Sequence, residues 1–336
     1  SGEIYNNVAW KLQVDFAGAT GDGAGDGVDF KDVYVGLTGM DDCLGCLFPN
    51  IRVGHYKHPM GLEELTSSKY MTFMERSAPT NAFAPSRKTG LMIHDSLLGG
   101  QLNWAASIFS PVSNSVGDGD WDDGYAIAGR LAWTPWYNCD CDCQLLHVGV
   151  SYMLQEDLKG KRFRARPPTH LTDRFVNTGT IADVTSYSTI GFEAALVYGP
   201  FSVQGEYFIA DVDSPSTGDP SFSGWYAQAS WWLTGECRKY KKGTFSRVKP
   251  CCNFLSNDCC CMGGFELKAR VSNLDLIDAG IDGGEQFAIT AGVNWHLNPN
   301  TRVMAEYFTA EVNGTPAGFN GGTTTFNDTS ISGFQM

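Results

Sequence analysis

No stretch of this 336-residue chain approaches the ~20 consecutive apolar residues that a membrane-crossing helix needs. Charged side chains are also scarce, at 18% against the ~25% of ordinary soluble domains. Positive charge is the scarcer sign: 24 Lys and Arg face 37 Asp and Glu, a net charge of −13. That balance excludes broad nucleic-acid binding. No phosphate-binding loop, dinucleotide fingerprint or nucleophile elbow occurs, and the Ser and His residues fall in no catalytic motif. The expectation is a protein that is not an enzyme. No linker or break in composition divides the chain, so 1–336 is expected to be a single domain.

What is present is alternation. In Gly264-Phe265-Glu266-Leu267-Lys268-Ala269-Arg270-Val271-Ser272, every second residue is apolar and the others are charged or polar. A strand turns its side chains to opposite faces with period two, so such a segment has one apolar and one charged face. About fourteen segments read this way: 9–17, 30–37, 51–58, 89–96, 101–110, 125–133, 145–154, 188–198, 201–210, 224–233, 265–274, 286–296, 302–310 and an incomplete one at 331–336. A soluble sandwich would turn the charged faces outward. A membrane barrel turns them into a wet lumen and sets the apolar faces against lipid. The connections decide between the two. They alternate between short turns, such as Gly199-Pro200 and Asn298-Pro299-Asn300, and long polar loops such as 111–124 and 156–185, the second basic and then polar. That asymmetry belongs to outer-membrane barrels. The fold class expected is therefore all-β, a transmembrane antiparallel up-and-down barrel. Its final segment reads as the first half of a closing strand, so residues are expected to be missing at both ends. Trp10, Trp104, Trp133, Trp136, Trp231 and Trp295 fall near strand ends, as an aromatic girdle requires.

The eleven cysteines cluster as Cys43 and Cys46; Cys139, Cys141 and Cys143; and Cys237, Cys251, Cys252, Cys259, Cys260 and Cys261. They lie in the connections 38–50, 137–144 and 235–262, and strand parity puts all three at one barrel end, the periplasmic one. Their spacings resemble metal knuckles, but an oxidising compartment favours disulfides. Stapling long turns is the favoured role, and the connectivity stays open. The Cys-rich face is also a candidate docking surface for a periplasmic or envelope protein.

Residues 59–88 do not alternate. One short helical stretch is expected near 62–70, and the segment is too apolar to dangle in solvent, so it should fold inward and narrow a pore. Here the chain resembles the phosphate- and polyphosphate-selective porins, the O/P porin family. The resembling residues are Gly54-His55-Tyr56-Lys57-His58-Pro59-Met60-Gly61-Leu62-Glu63, Thr66-Ser67-Ser68-Lys69-Tyr70, Thr72-Phe73-Met74-Glu75-Arg76-Ser77 and Ala82-Phe83-Ala84-Pro85. Trp232-Leu233-Thr234-Gly235-Glu236 with Lys241-Lys242-Gly243 and Arg247-Val248-Lys249-Pro250 is a second match. Asp29-Phe30-Lys31-Asp32-Val33-Tyr34-Val35-Gly36-Leu37 is a third. The Cys-rich turns depart from the pattern and resemble a divergent, planctomycete-like branch. The resemblance implies a barrel of about sixteen strands, a homotrimer in the outer membrane of a Gram-negative-type bacterium, and a third loop that constricts the pore. It also implies basic side chains that draw small anions such as phosphate through.

Lys69, Arg76, Arg87 and Lys88 lie in or beside the matched loop and are the candidate anion ligands, with Arg130, Lys268 and Arg270 on lumen-facing strand positions. Arg52, Arg302 and Lys11 share those faces with Asp15, Glu193, Glu206, Glu266 and Glu306, so structural pairing competes with anion contact for each of them. Asp118, Asp120 and Asp122 space oxygens like a calcium loop but lack the distal glutamate. A solvated acidic loop is the favoured reading there, and no other cofactor is expected. His55 and His58 admit a metal pair or a lumen role. A general-diffusion porin with little selectivity and a structural, envelope-anchoring barrel stand as the alternatives to an anion channel.

Overall fold

The computed structural model describes residues 1–5, 7–15, 29–39, 49–111, 124–138, 143–156, 160–256, 261–319, 322–323 and 325–336. Fifteen strands form one antiparallel sheet in chain order. They are β1 (Gly2–Ile4), β2 (Val8–Asp15), β3 (Asp29–Leu37), β4 (Asn50–Lys57), β5 (Arg87–Leu97), β6 (Leu102–Phe109), β7 (Ala126–Asn138), β8 (Gln144–Glu156), β9 (Ser186–Tyr198), β10 (Phe201–Asp213), β11 (Ser221–Trp232), β12 (Gly264–Asp278), β13 (Ile281–Asn298), β14 (Thr301–Gly314) and β15 (Phe326–Gln335). Each pairs only with its chain neighbours, the up-and-down order that alternation predicts. The strand missed in the sequence is β1, whose three residues are too few to show a period. No pairing joins β1 to β15 among the described residues.

The two faces are inverted relative to a water-soluble protein. Arg270 is 2% exposed and Lys268 4%, whereas Leu267 between strands of the same wall is 37% exposed and Ile289 43%. Charged and polar side chains fill the interior, and Leu12, Val35, Val53, Leu131, Val203 and Tyr207 cover the exterior. In water each large exposed aliphatic would forgo roughly 1.5–3 kcal/mol of burial. Hydrocarbon outside and partnered charges inside remove that cost, and this is the arrangement of a transmembrane barrel. The tryptophans chosen from sequence all fall towards one end of the strands, the end that carries the turns 98–101, 199–200 and 299–300. There Phe201 stacks on Trp231 with centroids 5.3 Å apart and Phe265 on Trp295 at 5.6 Å, forming an interfacial belt.

At the opposite, loop-rich end the inward positions turn apolar. Phe109, Phe208, Phe222, Leu274 and Leu276 are fully or almost fully buried there, packed with Met60, Ala78 and Phe83 of segment 58–86 and with Phe163, Val176 and Ile181 of loop 160–185. This apolar inner rim draws the two loops into the barrel. Segment 58–86 contains α1 (Leu62–Leu65) and α2 (Ala78–Phe83). The expected helix at 62–70 is thus only one turn long, and α2 lies outside it. A Ser77 N-cap accepting from Thr80 N at 3.4 Å and a proline in the first turn mark its start.

A second insert enters from the girdle end. In the connection after β11, Lys239–Lys241 pairs with Thr244–Ser246 as a small ribbon. Tyr240 and Phe245 join a buried cluster with Leu62, Leu145, Ala195 and Val197. A disulfide links Cys237 at the ribbon's entry to Cys143 in the β7–β8 turn, so these two clusters do share one end. Cys251, Cys252 and Cys261 are unbridged. Cys43, Cys46, Cys139, Cys141, Cys259 and Cys260, and the candidate calcium ligands Asp118, Asp120 and Asp122, lie outside the described residues. No group of potential metal ligands occurs among the described residues. Both ring nitrogens of His58 are hydrogen-bonded, one to Ser107 Oγ and the other to Lys88 O, each at 3.1 Å.

Candidate pore constriction

Glu206 on β10 anchors the inward segment. Its carboxylate accepts from Leu62 N at 2.8 Å, Glu63 N at 2.7 Å and Tyr226 Oη at 2.5 Å. Gly61 precedes these donors with φ of +74°, and a Cβ there would sit 3.0 Å from Glu206 Oε2, so the turn favours glycine on both counts. Glu63 in turn accepts from Ser77 N and Oγ, both at 2.9 Å, and from Arg270 Nη1 at 3.1 Å.

Beyond α1 the chain runs along the β12–β14 wall, held mostly through its own carbonyls. Arg302 donates to Ser68 O (3.2 Å) and Met71 O (2.5 Å), Lys268 to Thr72 O (3.0 Å), and Arg270 to Glu75 O (2.9 Å). Met74 N donates to Glu306 at 2.8 Å. Buried and half-buried donors on the wall therefore satisfy backbone groups that would otherwise be orphaned inside the barrel.

Most of the cations chosen from sequence are committed to carboxylates. Arg76 meets Glu64 at 2.9 Å, Arg87 meets Asp32 at 2.6 Å, Lys268 meets Glu306 at 2.5 Å, and Arg270 meets Glu63 at 3.1 Å. Arg130 grips Glu193 through two bonds of 2.7 and 2.8 Å and also donates to Gly243 O of the ribbon. Lys88 pairs with Tyr56 in the β4–β5 ladder. Lys69 differs from the others in that it lines a cavity.

That cavity, of about 380 Å³, opens between the inward segment and the ribbon towards the girdle end. Lys69, Arg238, Arg247 and Arg302 line it, with Tyr70, Asn300 and one carboxylate, Glu266. Arg247 donates to Asn300 Oδ1 at 2.7 Å, and Arg238 to Gln204 Oε1 at 3.0 Å. Burial lowers the Arg238 pKa to about 10, so it stays cationic at neutral pH. The buried Trp232 indole N–H beside this cavity has no acceptor among the described residues.

A second cavity, of about 320 Å³, lies at the loop-rich end, lined by Arg162, Arg164, Arg166, Arg174, His170 and Glu75. Sequence reading passed over its arginines as part of a basic loop. The signal was period two: Arg162, Arg164 and Arg166 share one face of a short extended stretch while Phe163 and Ala165 are buried on the other. Arg162 donates to Asn177 Oδ1 at 2.7 Å and Arg166 to Thr172 O at 2.9 Å, both neutral acceptors. Glu75 reaches His170 Nε2 at 3.0 Å. Burial raises the Glu75 pKa to about 7, against the pull of the Arg270 charge. Burial, aided by Arg166 and Arg174, holds the His170 imidazole below its usual range. Next to the arginines, Lys161 stands 4.0 Å over the Tyr187 ring, and burial with the Lys88 charge lowers its pKa to about 7. The two basic cavities thus lie at the two ends of segment 69–75.

Comparison with known proteins agrees with this architecture. A family model described as "Phosphate-selective porin O and P" matches residues 1–317. Porin O of Pseudomonas aeruginosa is 28% identical over 340 residues, covering 90% of this chain and 73% of that protein. An uncharacterised protein of Caulobacter vibrioides is 29% identical over 266 residues, 76% of this chain, which spans about half (52%) of its length. Two solved structures share the fold. An anion-selective porin from Comamonas acidovorans aligns with a TM-score of 0.52 at 14% identity, over 92% of this chain and 77% of that one. In-vitro folded OmpT of Vibrio cholerae gives 0.52 at 10% identity, over 99% and 84%. The chain belongs to the phosphate-selective porin O and P family, a family of channels rather than enzymes.

Proposed function

We propose that this barrel passes small anions such as phosphate across an outer membrane by diffusion. The observation that carries the reading is the pair of basic cavities joined by the pinned segment 69–75. Arg76, Arg87, Arg130, Lys268 and Arg270 pair directly with carboxylates, whereas the cavity arginines Arg162, Arg166, Arg238 and Arg247 donate to amides and carbonyls. Arginines and lysine outnumber the single lining glutamate of each cavity, Glu266 in one and Glu75 in the other. Guanidinium donors can replace part of an anion's hydration shell, and conduction follows if binding at each site is weak enough for release. The net charge of −13 works against anion entry, an effect that screening limits to carboxylates within ~10 Å at 0.1 M salt. Homotrimeric assembly in the envelope of a Gram-negative-type bacterium is part of the proposal, supported by family membership.

Planar-bilayer reversal potential under a KCl gradient, with phosphate titration, tests it. Wild type should be anion-selective and blocked by phosphate. The pair Arg162→Ala and Arg166→Ala should lower the selectivity, and Lys69→Ala should weaken the block. A weakly selective current indifferent to phosphate would establish a general-diffusion porin instead, and no current at all would favour the envelope-anchoring role.

A further inference from the structure

The connection between β11 and β12 goes to two places. Its first part, through Phe245, is the ribbon inside the lumen. Its second part leaves the lumen and crosses the rim to the outside of the barrel. There Phe254 N donates to Leu297 O at 2.7 Å, and the Phe254 ring packs edge-on against Trp295 at 5.0 Å. Trp295 Nε1 donates to Met262 O at 2.6 Å, and Leu255 N to Cys261 O at 3.2 Å. These bonds hold 254–255 and 261–262 side by side on the outer face.

Trp295 belongs to the aromatic belt, through its stack on Phe265. The segment packed on it carries apolar side chains left largely exposed: Leu255 is 78% exposed and Met262 61%. Leu255 also has φ of +57°, a conformation that a leucine adopts at a cost. A leucine side chain held in that turn and left in water buries no apolar area to offset it. The patch continues along the belt into Leu233, Trp231 and Phe201, all half exposed, and so is continuous with the face that meets lipid. Lys249 is exposed just before it, suited to phosphodiester headgroups.

We propose that residues 254–255 and 261–262 dock into the phospholipid leaflet at the girdle end, with Phe254, Leu255 and Met262 entering the headgroup–acyl boundary. The lumen ribbon is then tethered on both sides: by the Cys143–Cys237 bond where it enters and by the membrane where the chain comes out. Interfacial residues of this kind add binding in proportion to the apolar area they bury, so the contact stabilises the ribbon's docked position without touching the anion cavities.

Photocrosslinking of the full chain in phospholipid nanodiscs tests the assignment. A diazirine analogue of leucine is placed at Leu255, which keeps the side chain's size and so spares folding. The comparison site is Leu171, 92% exposed at the loop-rich end. Phospholipid adducts at position 255, several-fold above those at 171 by mass spectrometry, are expected. Crosslinks from 255 into a second copy of the chain would overturn the proposal in favour of a subunit contact. Water-quenched product alone at 255 would overturn it in favour of a solvent-exposed turn. Neither result bears on anion conduction, which is read separately.

Discussion

Replacing Glu206 by alanine removes the acceptor for Leu62 N, Glu63 N and the Tyr226 hydroxyl at once. A buried donor left without a partner costs about 1–3 kcal/mol in lost solvation. The two backbone donors alone therefore make α1 less stable in its docked position by about 2–6 kcal/mol, a factor of roughly 30 to 10⁴ in the docked population. The segment should not leave the lumen altogether. Arg270 still holds Glu63, and Lys268 still holds Thr72 O. The expected phenotype is a folded barrel whose constriction fluctuates, with single-channel conductance larger and noisier than wild type and faster proteolysis between 62 and 66. Glu206→Gln, which keeps one acceptor oxygen, should fall between. Heat-modifiable migration in SDS gels would verify that both variants are folded. Folded Glu206→Ala with unchanged conductance, unchanged noise and unchanged proteolysis would refute the idea that this carboxylate pins the constriction.

Two further outcomes follow from the same geometry. Glu75 and Lys161 both titrate near pH 7, and their signs add: below it the carboxyl is neutral and the amine charged, so the loop-rich mouth becomes more positive as pH falls. Anion selectivity by reversal potential should rise between about pH 8 and about pH 6, the span in which groups with such pKa values change charge, and Glu75→Gln should flatten the rise; a pH-independent wild type would contradict it. Removing the disulfide by Cys143→Ser with Cys237→Ser opens a link that closes 94 residues of sequence, worth at most about 4.7 kcal/mol by loop entropy. The ribbon should then dock less firmly, giving higher conductance and lower thermal stability, and reductant on the wild type should reproduce both; identical conductance in all three would show that other contacts suffice to hold it.

Much of this protein was legible as a one-dimensional pattern. Period-two alternation, the girdle tryptophans and the short-turn, long-loop rhythm require a barrel whichever residues face each other, because strand geometry alone sets which side chains share a face. The expectation of an inward course for 59–88 likewise rested on its apolar content, and Met60, Leu62 and Phe83 of that segment are buried. What alternation could not supply was partnership. Arg130 and Glu193 are 63 residues apart and Arg270 and Glu63 are 207 apart, so whether a lumen cation is free for an anion depends on registers and loop paths that meet only in three dimensions. The arginines at 162, 164 and 166 showed period two within a segment too short to be read as a strand, and only its docking on the apolar inner rim turned that face into a cavity wall. Sequence by itself determined the barrel and its inside-out polarity, since both follow from local chain geometry and the choice of solvent. The tertiary structure alone decided which charges remain available in the lumen, because pairing is a property of distance between side chains and not of their order along the chain.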